Sequence, residues 1–222
     1  MLNISTKKED LSRKEKSEEI LKKEDIKINF NLPHIETEEE TTIRTAEEIA
    51  RRVTVLAVTN LIAFDSMEPE EAIDYLKDCN LWDYVTPDEK DFLNDPTEYK
   101  KSQESWKCEC IWVLLWALKK VDTLPFPNEL CDLNDIPAEN YPFGGDMDPN
   151  DFIHAPHELR SKSDILDAAD LYYRYDWACV DARINSIEMT TIDPGIVYER
   201  HYALNWLITY MDQDWDDVSC DT

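Results

Sequence analysis

The sequence predicts a mainly α-helical, single-domain bundle of about six to seven helices. Three observations predict it. Two stretches, Trp106 to Lys120 and Asp193 to Met211, are apolar on nearly every side, the mark of helices covered on both faces. Thr45-Ala-Glu-Glu48 is a capping box placed directly before a long stripe of helical period. The 222 residues are 42% hydrophobic with seven tryptophans, enough to bury one full core, and only three glycines punctuate them.

Residues 1–12 are polar and expected to fray, leaving 13–222 as the domain. Arg13 to Glu24 alternates Lys with Glu around Ile20 and Leu21, a solvated helix that depends on docking. Asp25 to Phe30 alternates apolar with polar, which fits a short strand or an extended arm, and Asn31 to Thr42 reads as a connection. Ala46 to Phe64 is a long helix striped by Ile49, Val53, Leu56, Asn60 and Ala63. Pro69 starts a second helix through Cys79, and Thr86 caps a third ending near Asn94. After the break at Asp95-Pro96-Thr97, one helix is expected from about Glu98 to Lys120. Ser161 or Ser163 caps a helix running from Asp164 to about Asn185 with apolar residues on two faces, and Asp193 with Pro194 opens the last one.

Between these lies a long connection, 121–162, holding six of the eleven prolines and an acidic run from Asp122 to Asp151 with no basic residue among them. The whole chain carries 49 acidic against 23 basic residues, a formal charge of −26. Residues 121–222 alone hold 22 acidic and 5 basic. Such a field repels nucleic-acid phosphates and anionic lipid and attracts basic proteins. Nucleic-acid and membrane binding are therefore disfavoured. The lysine- and glutamate-rich N-terminus and six cysteines without a CxxC pair point to the cytoplasm and free thiols.

No phosphate-cradling glycine spacing, GxSxG or HExxH occurs, so no nucleotide or other cofactor is expected. Two acidic runs fail as calcium loops, because Asp151 and Asp217 stand where the loop needs glycine, and no metal site is expected. What remains is polar groups on two-sided helices. Glu109, Glu199, His201 and Arg200 are the candidate catalytic set, since ionisable groups in dry surroundings gather at active sites. Weighed against that, Glu109, Arg174, Arg183, Arg200 and Asn205 are expected as a structural polar core: a Glu109–arginine pair, an Asp170–Arg174 pair, and His201 bonded either to Asn205 or to a backbone carbonyl.

Residues 112–132, 171–185, 193–207 and 215–222, with 13–33 and 44–52, together resemble the bacterial family known as domain of unknown function 4272. The resemblance spans nearly the whole chain, is weakest at 134–160, and implies a mostly helical domain that includes the N-terminal arm. It implies no activity, substrate or catalytic residue. The expected function is thus an acidic protein-binding module of the immunity or antitoxin kind, holding a basic partner through Asp132, Asp135, Glu139, Asp146, Asp148 and Asp151. The alternative is an enzyme using the buried Glu/His/Arg set.

Overall fold

The computed structural model describes residues 11–144 and 148–222. The predicted fraying of residues 1–12 therefore falls mostly outside the described residues, as does Asp146. Nine α-helical segments are present among the described residues: α1 Arg13–Lys23, α2 Ala46–Ala63, α3 Pro69–Asp78, α4 Pro87–Asn94, α5 Glu98–Ser105, α6 Cys108–Ala117, α7 Pro149–Ile153, α8 Lys162–Ile184 and α9 Pro194–Leu207. None is long and apolar enough to cross a membrane. The mainly α-helical single domain is as predicted, with a few more helices.

The central pair are α2 and α9, with α6 between them. Helix α2 is buried on both faces: Ile49, Val53 and Leu56 belong to one apolar cluster with α6, α8 and α9, and Val55, Val58 and Ile62 to a second with α3 and α4. On the far side α8 packs along α9, and α1 packs on α8. Helix α9 is buried from Ile196 to Leu207 except at Tyr198, as its two-sided apolar pattern requires.

Starts follow the caps read from the sequence. Thr45 and Thr86 close capping boxes with Glu48 and Glu89, Ser161 caps α8, and the Asp193 carboxylate accepts from the Gly195 and Ile196 amides. Five of the stops share one device. Asp25, Asp65, Asn80, Lys119 and Ser186 each sit in the left-handed region just past a helix, at φ between 54° and 58°. The next amide returns to the helix in every case, as in Ile26 N–H to Leu21 C=O (2.9 Å) and Lys120 N–H to Leu115 C=O (2.8 Å). With so few glycines, ordinary residues take the strained position.

Several expectations are corrected. Of the strand or arm expected at Asp25 to Phe30, the arm is found, since no strand among the described residues is there to pair it. The expected helix 98–120 is two, because the chain turns at Trp106-Lys107 so that polar α5 packs on α2 while apolar α6 enters the core. Helix α9 ends at Leu207 rather than Met211, since Thr209 and Met211 adopt left-handed backbone. Helix α8 buries one face fully; Tyr173, Trp177 and Val180 are half-buried and Ile184 is exposed. Loop 121–162 contains the short helix α7.

Candidate binding cleft, polar core and acidic loop

Helices α6 and α9 place Glu109 and Arg200 side by side with no exposed surface. Glu109 Oε2 accepts from Arg200 Nε at 2.6 Å, and Oε1 accepts from the Cys131 amide at 2.7 Å. Arg200 Nη1 also donates to the Pro125 carbonyl and to Tyr172 Oη (2.8 Å). The pair thus fastens the 125–131 strand of loop to the core. Arg174 donates twice to Asp170 (2.9 and 2.8 Å) and once to the Pro33 carbonyl at 3.1 Å, pinning the arm to α8. Asn205 donates to the Ser219 carbonyl at 2.9 Å.

Two assignments within that core are overturned. Arg183 is exposed, since it lies in the last turn of α8 beyond the neighbouring helices. His201 bonds neither Asn205 nor a carbonyl; its Nδ1 lies 3.5 Å from Asp176 Oδ2 without hydrogen-bond geometry. A third buried pair, Arg52 with Glu89 at 2.5 Å, was not anticipated. Its signal was available, because Arg52 interrupts the apolar centre of α2 and must find a partner there.

The four catalytic candidates do not converge on one cleft. Glu109 and Arg200 have no accessible surface, His201 lines a small cleft with His34 and Tyr210, and Glu199 lines a separate, larger one. That larger cleft, of about 560 Å³, lies between the α5–α6 turn, α8, α9 and the C-terminal segment. Trp106, Tyr198, Val180 and Ile187 line it together with the nearly buried Asp176 and Glu199, 4% and 8% exposed as residues. The Trp106 ring reaches its place because Gly195 has no side chain: a Cβ there would stand 2.7 Å from Trp106 Cζ3.

The electrostatics of the cleft are uneven. Glu199 Oε2 is met by Lys107 Nζ at 3.1 Å and accepts from the Cys110 thiol at 3.2 Å. Burial works against the Lys107 charge, but Cys110 and Glu199 outweigh it and raise that pKa. Nearby Glu104 is pushed up to about 7 by burial, with Lys107 opposing. Burial and then Asp176 push the Cys179 thiol up to about 12, and the same two causes raise Cys220. Asp176 itself accepts from the Thr222 hydroxyl at 3.3 Å and, among the described residues, is in no ion pair with Lys or Arg. The sequence reading missed Asp176, although a carboxylate inside a two-sided helix is the same signal that singled out Glu109.

Loop 121–162 is anchored from beneath and acidic above. Ile136, Pro149, Phe152 and Ile153 are buried, and Arg160 donates to the Trp116 carbonyl (2.8 Å) and the Val121 carbonyl (3.1 Å). Asp132, Asp135, Glu139, Asp148 and Asp151 are all exposed, and among the described residues none of the five is in an ion pair. Asp132 and Asp148 also accept from the Asn134 and Asn150 amides at 2.9 and 2.8 Å, which fixes their backbone.

Among the described residues, one cluster has the composition of a metal site. Ligand atoms of Cys108, Glu109 and Cys131 lie within 4.8 Å of one another. Both Glu109 oxygens are already engaged, one of them by a guanidinium at 2.6 Å, and the Cys131 thiol donates to the Cys108 carbonyl at 3.4 Å. The donors are spent on protein contacts, and Arg200 supplies the positive charge that an ion would bring.

A family profile described as "Domain of unknown function (DUF4272)" matches residues 13–218. No curated protein and no solved structure matches the chain.

Proposed function

We propose, from the premise that the chain belongs to the DUF4272 family, that it is an acidic protein-binding module that holds or neutralises a basic protein, in the manner of an immunity protein or antitoxin. The observation that carries this reading is the set of exposed carboxylates Asp132, Asp135, Glu139, Asp148 and Asp151, none of them ion-paired among the described residues, on a backbone anchored by buried Ile136 and Phe152. A fixed array of like charges speeds encounter with a basic surface and rejects acidic ones, nucleic acid included. Work in the cytoplasm, where six free thiols stay reduced, is part of the same reading.

The test is recovery of the tagged protein from its native cell at low salt, followed by elution across a salt series. A stoichiometric basic protein that leaves as salt rises is expected, and the triple variant Asp132→Asn, Asp135→Asn, Glu139→Gln should lose it. A partnerless preparation at low salt overturns the reading, as does a partner retained equally by the triple variant.

A further inference from the structure

The cleft between α8 and α9 has a feature that the acidic loop does not explain. Asp176, a residue 4% exposed, lines a cleft whose other lining includes Trp106, Tyr198, Val180, Ile187, Glu199 and Arg183, and among the described residues its one side-chain hydrogen-bond donor is the Thr222 hydroxyl at 3.3 Å. An ionised carboxylate removed from water needs a compensating cation, and the other buried acids among the described residues have one: Glu109 has Arg200, Glu89 has Arg52, Asp170 has Arg174 and Glu199 has Lys107. Among the described residues Asp176 has only His201 within ion-pair distance, at 3.5 Å and outside hydrogen-bond geometry.

We propose that this cleft is a binding site for a single organic cation on an apolar stem, an alkylguanidinium or alkylammonium group, with Asp176 as its counter-ion. The stem lies against Val180 and Ile187, and the aromatic faces of Trp106 and Tyr198 add cation–π attraction at the walls. Exposed Arg183, which also lines the cleft, puts a positive charge near its mouth and disfavours a second cationic centre, so polyamines fit less well than a monocation. This assignment stands on the cleft and not on the loop reading.

The probe is N-acetylarginine methylamide, titrated into the full chain at fixed ionic strength and followed by amide NMR shifts. Its uncharged isostere, the citrulline analogue, and spermidine serve as comparisons. Saturable shifts confined to the surroundings of Val180, Met189, Gly195 and Tyr198 are expected, with weaker binding by spermidine and none by the citrulline analogue. Asp176→Asn should weaken the arginine probe at least about tenfold, and Tyr198→Ala, at a half-exposed wall, about threefold or more. The loop triple variant should bind the probe as the parent does, which separates this site from the acidic loop. A five-residue peptide carrying one central arginine distinguishes the source: tighter binding than the probe assigns the group to a protein side chain, weaker binding to a free small cation. Equal binding of the citrulline analogue overturns the site. So do shifts scattered over the acidic surface, or parent-like binding by both Asp176→Asn and Tyr198→Ala.

Discussion

At the scale of single residues, the Glu109–Arg200 pair decides how loop and core are joined. Removing one partner leaves a charge in a site without water, so Arg200→Met is expected to cost about 3–5 kcal/mol in urea unfolding. Glu109→Leu combined with Arg200→Met should cost less than the sum of the two single changes, because neither charge is then left alone. Glu104 gives a pH signature. Its folded pKa is raised from 4.5 to about 7 by burial, so its contribution to stability is complete below the unfolded value and is lost as pH rises through 7. The melting temperature should therefore fall between pH 5 and pH 8 by more in the parent than in Glu104→Gln. Of these side chains, Glu109, Arg200 and the Asp170–Arg174 pair were legible in the sequence, because a charge inside an all-round apolar helix has to be paired. Arg183 was misread because apolar periodicity does not say where a long helix outruns its neighbours.

At the scale of elements, the left-handed residues that follow six of the helices hold a removable strain. Lys119→Gly and Ser186→Gly, both at exposed positions, should each raise stability by about 0.5–1 kcal/mol in thermal or urea unfolding. Gly195→Ala should do the opposite, costing about 1–3 kcal/mol as its methyl meets the Trp106 ring, and should alter the fluorescence of that tryptophan. Helix starts were readable because caps are local chemistry: Thr45, Thr86, Ser161 and Asp193 all act as their spacing says. The stops were less so, since no glycine marks them. The break between α5 and α6 was hidden for a related reason. Neither proline nor glycine lies there, and the change from a polar to an apolar stretch becomes a turn only when both must pack on α2.

At the scale of the whole molecule, a formal charge of −26 on one domain implies repulsion that salt relieves. The melting temperature is expected to rise as sodium chloride goes from near zero to about 0.15 M, where the Debye length falls to about 8 Å; a flat profile would show that the surface charges are too far apart to matter. The cleft at α8 and α9 could not be read from the sequence because its lining comes from segments that meet only on folding, whereas the acidic loop is contiguous and was visible at once. The arm has a consequence for synthesis. Helix α1 packs on α8, and Arg13 reaches Asp167 at 2.7 Å across a sequence separation of 154 residues. At about 5–20 residues per second on the ribosome, α1 waits roughly 8–30 s for the surface it rests on. During that interval Leu21 and Ile26, both buried in the finished protein, are open to water and to any chaperone that samples the nascent chain.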